Sequence, residues 1–285
     1  MAKFVPDVKT QRWIVIAPAR TARPADTHVV SAEKSHVCPF CPGNECETPP
    51  EIMRLGEGEK EKPGWKIRVF PNKFPITDIH EVIVHSDKHD KDIQDFDLAH
   101  IQLLLSVYRS RFQTHMTDGH VIVFSNHGEH AGASLAHPHS QVVVIPHQIN
   151  LDALVREPVM NILEENDLFY TYCPDFSQWP YEVWIAPKKE GTNFAETTDE
   201  ELKILSGLLQ RAIRRLYKKY EEIATKKNHG TLPFAYNYYI HHGKDWFIRI
   251  IPRLVHRAGF ELGTGLSVNV ADPTDAAKEL MGIDI

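Results

Sequence analysis

The residues best equipped for chemistry form one short run, His137-Pro138-His139-Ser140-Gln141, reached through a loop of small residues from His127 to Ala136. Small residues let backbone N–H groups approach a ligand closely, as a phosphate cradle requires. If the run from His137 to Gln141 is extended, His137, His139 and Gln141 project to one face, because side chains alternate along a strand. A neutral imidazole beside an N–H-rich loop suits attack on phosphorus, with amides stabilising the equatorial oxygens. A second cluster, Cys38-Pro39-Phe40-Cys41, is half of a tetrahedral metal site whose other two ligands must come from elsewhere in the chain.

The elements that must carry these residues follow from periodicity. Strands are expected at Trp13–Pro18, Lys66–Phe70, Glu81–His85 and His120–Ser125, and a helix of about six turns from Asp95, with Leu98, Ile101, Leu104, Leu105, Tyr108 and Phe112 at helical spacing. The second half repeats this grammar. Tyr181-Glu182-Val183-Trp184-Ile185 echoes His80-Glu81-Val82-Ile83-Val84, and a helix opening on the capping pair Thr198 and Glu201 is followed by strands ending at Ile240 and Pro252. The chain is therefore read as α+β and duplicated: two similar halves, residues 1–150 and 151–285, each with a largely antiparallel sheet and one long helix. Aligned on Pro146 and Pro252, His137, His139 and Gln141 correspond to Gly243, Asp245 and Phe247, so the polar set is dispensable for folding and available for chemistry.

Composition narrows the class further. The 285 residues carry a formal net charge of -6 with no long block of like charge, which recommends neither nucleic acid nor an anionic membrane as partner. No apolar run approaches a membrane span, and residues 1–24 lack the apolar core of a signal peptide. A cytoplasmic protein is expected, with three of its four cysteines bunched at Cys38, Cys41 and Cys46 as metal-site candidates in a reducing compartment.

His137-Pro138-His139-Ser140-Gln141 resembles the His-Pro-His-x-Gln signature of the galactose-1-phosphate uridylyltransferase branch of the histidine triad superfamily. Pro18, Arg20, Arg23 and Pro24, Phe70-Pro71-Asn72-Lys73-Phe74-Pro75, His80-Glu81-Val82-Ile83-Val84, and Ile250-Ile251-Pro252-Arg253 through Gly263-Thr264-Gly265 resemble further family segments in family order. The resemblance implies a duplicated histidine-triad-like fold. It implies that His139 attacks the α-phosphorus of a nucleoside diphosphate sugar, and that the resulting nucleotidyl-histidine passes the nucleotide to a sugar 1-phosphate or phosphate. Asn126, Ser134 and Gln141 match positions that hold phosphoryl oxygens, and Arg20, Arg23, Phe70 and Asn72 match the nucleotide-binding face. The metal site implied is a structural Zn²⁺ held by Cys38, Cys41, His89 and His137, with Cys46 and His85 as rival ligands.

UDP-glucose and galactose 1-phosphate are the favoured substrate pair, and a homodimer is expected in which Gly259–Gly265 of one subunit, a flexible Gly-rich stretch, approaches the other's His139. Two departures qualify this. Asp245-Trp246-Phe247 stands where some members carry a His-x-His metal pair, so a second metal is not expected. Gly263-Thr264-Gly265 replaces a Gly-Tyr-Glu segment that recognises the hexose, a form shared with ADP-glucose phosphorylases; that activity is the alternative, and a zinc-stabilised nucleotide-binding module without turnover is the alternative of another class.

Overall fold

The computed structural model describes residues 2–6, 13–18, 20, 38–149, 151, 155–226 and 233–285. A hairpin of β1 (Lys3–Pro6) and β2 (Trp13–Ile16) stands apart from a ten-stranded sheet. The sheet contains β3 (Met53–Gly56), β4 (Trp65–Pro71), β5 (His80–Val84), β6 (His120–His127), β7 (His139–Ile145), β8 (Ile162–Glu165), β9 (Phe169–Tyr172), β10 (Val183–Pro187), β11 (Tyr236–Ile240) and β12 (Ile248–Pro252). Its order is β3-β4-β5-β7-β6-β11-β12-β10-β9-β8, so the second five strands repeat the order of the first five in reverse and the halves fuse where β6 pairs with β11. Every pairing is antiparallel. The duplicated α+β reading holds, with the two expected sheets joined into one.

Each half contributes one long helix to the same face. Helix α1 (Leu98–His115) starts where the Asp97 carboxylate accepts the His100 N–H at 2.7 Å. Helix α2 (Asp199–Lys226) opens on the expected capping pair, with the Thr198 hydroxyl and the Glu201 carboxylate serving each other's backbone N–H groups. Ile101, Leu104, Leu105, Tyr108 and Phe112 on α1 and Leu202, Leu205, Leu209 and Ile213 on α2 are buried in one core with Val142 and Val144 of β7. Gln210 of α2 donates to the carbonyls of Ile93 and Phe96, and Arg109 of α1 to that of Thr197, so the helix layer also crosses the halves. No helix among the described residues is long and apolar enough to cross a membrane. Two short helices follow β12: α3 (Gly259–Thr264), where the sequence led us to expect a flexible stretch, and α4 (Pro273–Met281).

The repeat is legible but its phase is not. Glu81 and Glu182 coincide in the sequence echo, yet Glu81 turns toward the helices to pair with Arg111 of α1, while Glu182 turns to the other face to pair with Arg249 of β12. A one-residue offset exchanges the faces of a strand, so Trp184, not Val183, shares the face of Val82. In the second half that face is apolar, with Trp184 stacked on Phe247 at 4.0 Å between ring centroids.

At the end of β6 and β11 remote from His139, His120 lies 4.7 Å from His242, whose ring is 4.6 Å from that of His241; His147 also faces His120. Burial, then His241 and His120, push His242 down to about 4 from 6.5. The unfolded chain therefore binds a proton at His242 that the folded chain refuses, and stability is lost as pH falls from about 6.5 toward about 4. Thermal melts across this window should show a falling Tm in the wild type and a shallower fall in His242→Gln; equal slopes would contradict the assignment.

Candidate active site and metal centre

Strand β7 presents the chemistry because its alternation separates two sets of side chains. His139 and Gln141 point away from the helices, opposite Val84 and Val82 of β5, into a cluster of Phe40, Trp65, Phe70, Val82 and Val84. Ser140, between them, points to the helix side. There its hydroxyl lies 2.6 Å from Nε2 of His85, 2.5 Å from the Tyr108 hydroxyl and 3.1 Å from that of Tyr238, which comes from the other half. His85 reaches Asp92 at 3.4 Å, and Asp92 also takes His127 at 2.6 Å and the Tyr236 hydroxyl at 2.8 Å. Burial alone would raise the Asp92 carboxyl, but hydrogen bonds from His127 and His85 hold it well below the carboxylate range. The arrangement Asp92–His85–Ser140 has the order of a hydrolytic triad, yet all three side chains are buried, so it braces the strand and meets no substrate.

His139 itself is buried, and its Nδ1–H donates to the carbonyl of His137 at 2.9 Å. That bond selects the tautomer whose lone pair is on Nε2, the form an attacking imidazole needs. Gln141 is oriented equally firmly. Nδ1 of His80 accepts the Ile76 N–H at 2.9 Å, so Nε2 of His80 carries the proton and donates to Oε1 of Gln141 at 3.0 Å, leaving the Gln141 amide N–H₂ as its outward donor end. Nδ2 of Asn72 approaches the same Oε1 at 3.4 Å, and Oδ1 of Asn72 accepts the Phe74 N–H at 2.8 Å. Arg20 in turn donates to the Phe74 carbonyl at 3.0 Å. Arg20, Asn72 and Gln141 thus form one connected edge, with Phe70 on the wall beside it.

Asn126, the next residue after the Ser125–Ser140 pair, is level with His139 and accepts Nδ2 of Asn237 from β11 at 2.8 Å. Ser134 is half-buried in the loop just before Leu135, which packs on the Phe40 cluster. That loop hugs β11: at Gly128, with φ of +81°, a Cβ would stand 2.9 Å from the Ala235 Cβ, so only glycine fits. Arg23 lies outside the described residues. Sequence reasoning missed His80, Phe40 and Asn237 as parts of the site. His80 heads the His-Glu-Val-Ile-Val strand, which was the available signal; for Phe40 and Asn237 nothing in the sequence marks the contact.

Cys38, Cys41, His89 and His137 converge, with one ligand atom from each lying within 4.8 Å of the others. Sγ of Cys41 lies 3.4 Å from Nδ1 of His89 and 3.5 Å from Nδ1 of His137, and Sγ of Cys38 lies 3.8 Å from the latter. Around a tetrahedral zinc ion, with bonds of about 2.3 Å to sulfur and about 2.0–2.1 Å to nitrogen, such neighbours stand about 3.6 Å apart. The donor set therefore fits a metal ion. Nε2–H of His137 donates to the Ser86 carbonyl at 2.8 Å, which leaves Nδ1 as the ligand nitrogen. Burial and then Cys38 push the Cys41 thiol up to about 11, so that it ionises readily only beside a cation. The rival ligands fall away: Cys46 is exposed outside the group, and His85 is committed to Ser140 and Asp92. The same turn carries Phe40, whose ring meets that of His139 edge-on at 5.2 Å and that of Phe70 at 5.5 Å.

These features define a duplicated histidine triad fold. The family described as domain of unknown function DUF4931, N-terminal domain, matches residues 25–148. The ADP-glucose phosphorylase of Arabidopsis thaliana is 27% identical over 98% of this chain and 92% of its own length, and the galactose-1-phosphate uridylyltransferase of Thermotoga maritima is 24% identical over 97% and 96%. The crystal structure of the Arabidopsis enzyme with bound ADP-glucose superposes with a TM-score of 0.72, covering 100% of both chains. Over nearly its whole length the chain is thus similar to the galactose-1-phosphate uridylyltransferase-like proteins, whose fold it shares.

Purified protein never exposed to chelator should hold about one metal ion per chain by elemental analysis. Cys38→Ser should lose the metal and at least about 5 °C of Tm, whereas Cys46→Ser should change neither. Full metal content in Cys38→Ser would overturn the ligand set.

Proposed function

We propose that the protein transfers a nucleoside monophosphate from a nucleoside diphosphate hexose to a hexose 1-phosphate or to phosphate, through a covalent bond to His139. The observation that carries this reading is the Nδ1–H bond from His139 to the His137 carbonyl, which directs the imidazole lone pair to Nε2 beside Gln141. Nε2 attacks the α-phosphorus, an N–P bond forms, and the bond to the bridging oxygen breaks, releasing the hexose 1-phosphate. The imidazole then carries a positive charge that the His137 carbonyl stabilises through Nδ1–H. An oxygen of the acceptor phosphate attacks the same phosphorus and the N–P bond breaks, restoring neutral His139. The Gln141 amide N–H₂ donates to the non-bridging oxygens, Asn126 and Ser134 supply further polar groups, and Arg20 and Arg23 neutralise phosphate charge. Phe70 and Phe40 wall the nucleoside side, with Asn72 bonding ribose or base.

The metal is Zn²⁺, bound by Cys38, Cys41, His89 and His137; when bound it supplies cross-linking and no step of the transfer. Residues 1–150 form the catalytic half and 151–285 the supporting half. A thiol-bearing ligand set suits the cytoplasm. A homodimer is the working assembly: Phe260, Leu262, Leu266, Val268 and Val270 are exposed around α3, an apolar surface that a second copy would cover.

ADP-glucose as donor is favoured by the 27% identical relative and by the Gly263-Thr264-Gly265 form. UDP-glucose with galactose 1-phosphate is favoured by the second relative. Intact-protein mass spectrometry after incubation with each sugar nucleotide in parallel should show an AMP or UMP adduct on wild type and none on His139→Ala, whose turnover should fall by more than about a hundredfold. A His139→Ala protein retaining over about a hundredth of the wild-type rate would overturn the nucleophile.

A further inference from the structure

Two cations at the end of the sheet where His139 lies form no salt bridge with a carboxylate among the described residues, Glu261 interacting with Arg257 only at longer range. Arg253 follows β12, its N–H continuing the ladder to the Ala235 carbonyl at 2.8 Å, and Arg257 lies one turn further on. Both guanidinium groups stack on one indole: Arg253 at 4.3 Å and Arg257 at 5.1 Å from the Trp179 ring. Trp179 is buried, and its carbonyl is held by the Asn269 side chain at 3.3 Å. Arg257 donates to the side-chain Oε1 of Gln178 at 3.1 Å and to the Ser267 hydroxyl at 3.2 Å, and Nε of Arg253 is buried with no partner. The nearby carboxylates are engaged elsewhere: Glu182 takes Arg249, and Glu261, which faces Arg257, accepts the Ala258 N–H at 3.0 Å. Burial and then Arg257 lower the Arg253 pKa, the mark of two like charges held together.

Alternation fixes which face they serve. Asn126 pairs with Asn237, and Asn237 with Ile251, so Arg253, two residues on, shares the face of Asn126 and therefore of His139. The strands β7, β6, β11 and β12 are consecutive, and Arg253 lies two residues beyond the level of His139, which puts their backbones about 16 Å apart at roughly 4.8 Å per strand and 3.4 Å per residue. The bonded amides of Asn126 and Asn237 lie between them.

We propose that Arg253 and Arg257, braced on Trp179, form an anion subsite for a second negatively charged group on the hexose substrate, at the end remote from the reacting phosphate. The inference rests on the reading that phosphorus reacts at His139. The reacting phosphate must touch Nε2, within about 3–3.5 Å, so an anion held by Arg253 and Arg257 is a different one. Asn126 and Asn237 then face the hydroxyls of the sugar that joins the two. A phosphate monoester or a carboxylate meets the chemistry of paired guanidinium groups.

Calorimetric titration of the full-length protein with glucose 1-phosphate, glucose 1,6-bisphosphate and glucuronic acid 1-phosphate tests this without turnover. The wild type should bind one or both doubly anionic ligands at least about tenfold more tightly than glucose 1-phosphate, the two ligands distinguishing phosphate from carboxylate. In Arg253→Gln/Arg257→Gln, and in the single exposed-site variant Arg257→Glu, that advantage should shrink to about twofold or less while glucose 1-phosphate binds as before. Equal affinities in the wild type, or an advantage that survives in Arg257→Glu, would overturn the subsite. If the affinity pattern holds but no nucleotidyl adduct forms on the protein, the reaction reading fails and the subsite stands.

Discussion

The hydrogen bond from Nδ1 of His139 to the carbonyl of His137 is the constraint on which the rest of the site depends. It joins two residues with different surroundings, because the side chain of His137 belongs to the Cys38, Cys41 and His89 cluster that could hold a metal ion while its backbone fixes the tautomer of His139. Holding His137 therefore holds His139. The Cys38–Cys41 turn acts twice on the same point, once through the ligand set and once through Phe40, whose ring lies against both histidines. A metal ion so placed would need no contact with a substrate to affect chemistry at His139, since a misplacement of about 1 Å in a reacting group costs on the order of a hundredfold in rate.

The reverse side of β7 explains why this geometry is rigid. Ser140 must point into the core if His139 and Gln141 point out, and a buried hydroxyl left without partners costs about 1–3 kcal/mol. Here it meets His85, Tyr108 and Tyr238, and the chain of contacts continues to Asp92, His127 and Tyr236. Tyr236 and Tyr238 come from the second half, so the half that has no histidines at the equivalent positions still braces the strand that carries them. Duplication thus divides labour: one copy presents polar side chains on the open face, and the other fills that face with Trp184 and Phe247.

Much of this was legible in the sequence because it depends on local pattern. The alternation from His137 to Gln141, the cap at Thr198 and the spacing along α1 and α2 are read from neighbours within a few residues. The phase between the halves was not legible, since a one-residue offset between Glu81 and Glu182 leaves the apolar pattern intact while exchanging its faces. Nor was the fusion into one sheet, which turns on the pairing of β6 with β11, or the contact of Asn237 with Asn126 across 111 residues. Gly259–Gly265 misled for a physical reason: Glu261 caps its own helix by accepting the Ala258 N–H, and that bond orders a stretch whose glycines promise freedom.

The central claim is that His139 rests with its proton on Nδ1 and its lone pair on Nε2, held so by a backbone that the metal centre fixes. Nitrogen NMR of protein labelled in its histidine rings, with His139→Ala to assign the signals, measures this directly. The account predicts a neutral His139 with protonated Nδ1 and unprotonated Nε2 in the metal-loaded protein, and a mixture of tautomers once a chelator has removed the metal. A resting His139 protonated on Nε2, or a tautomer indifferent to the metal, would contradict it.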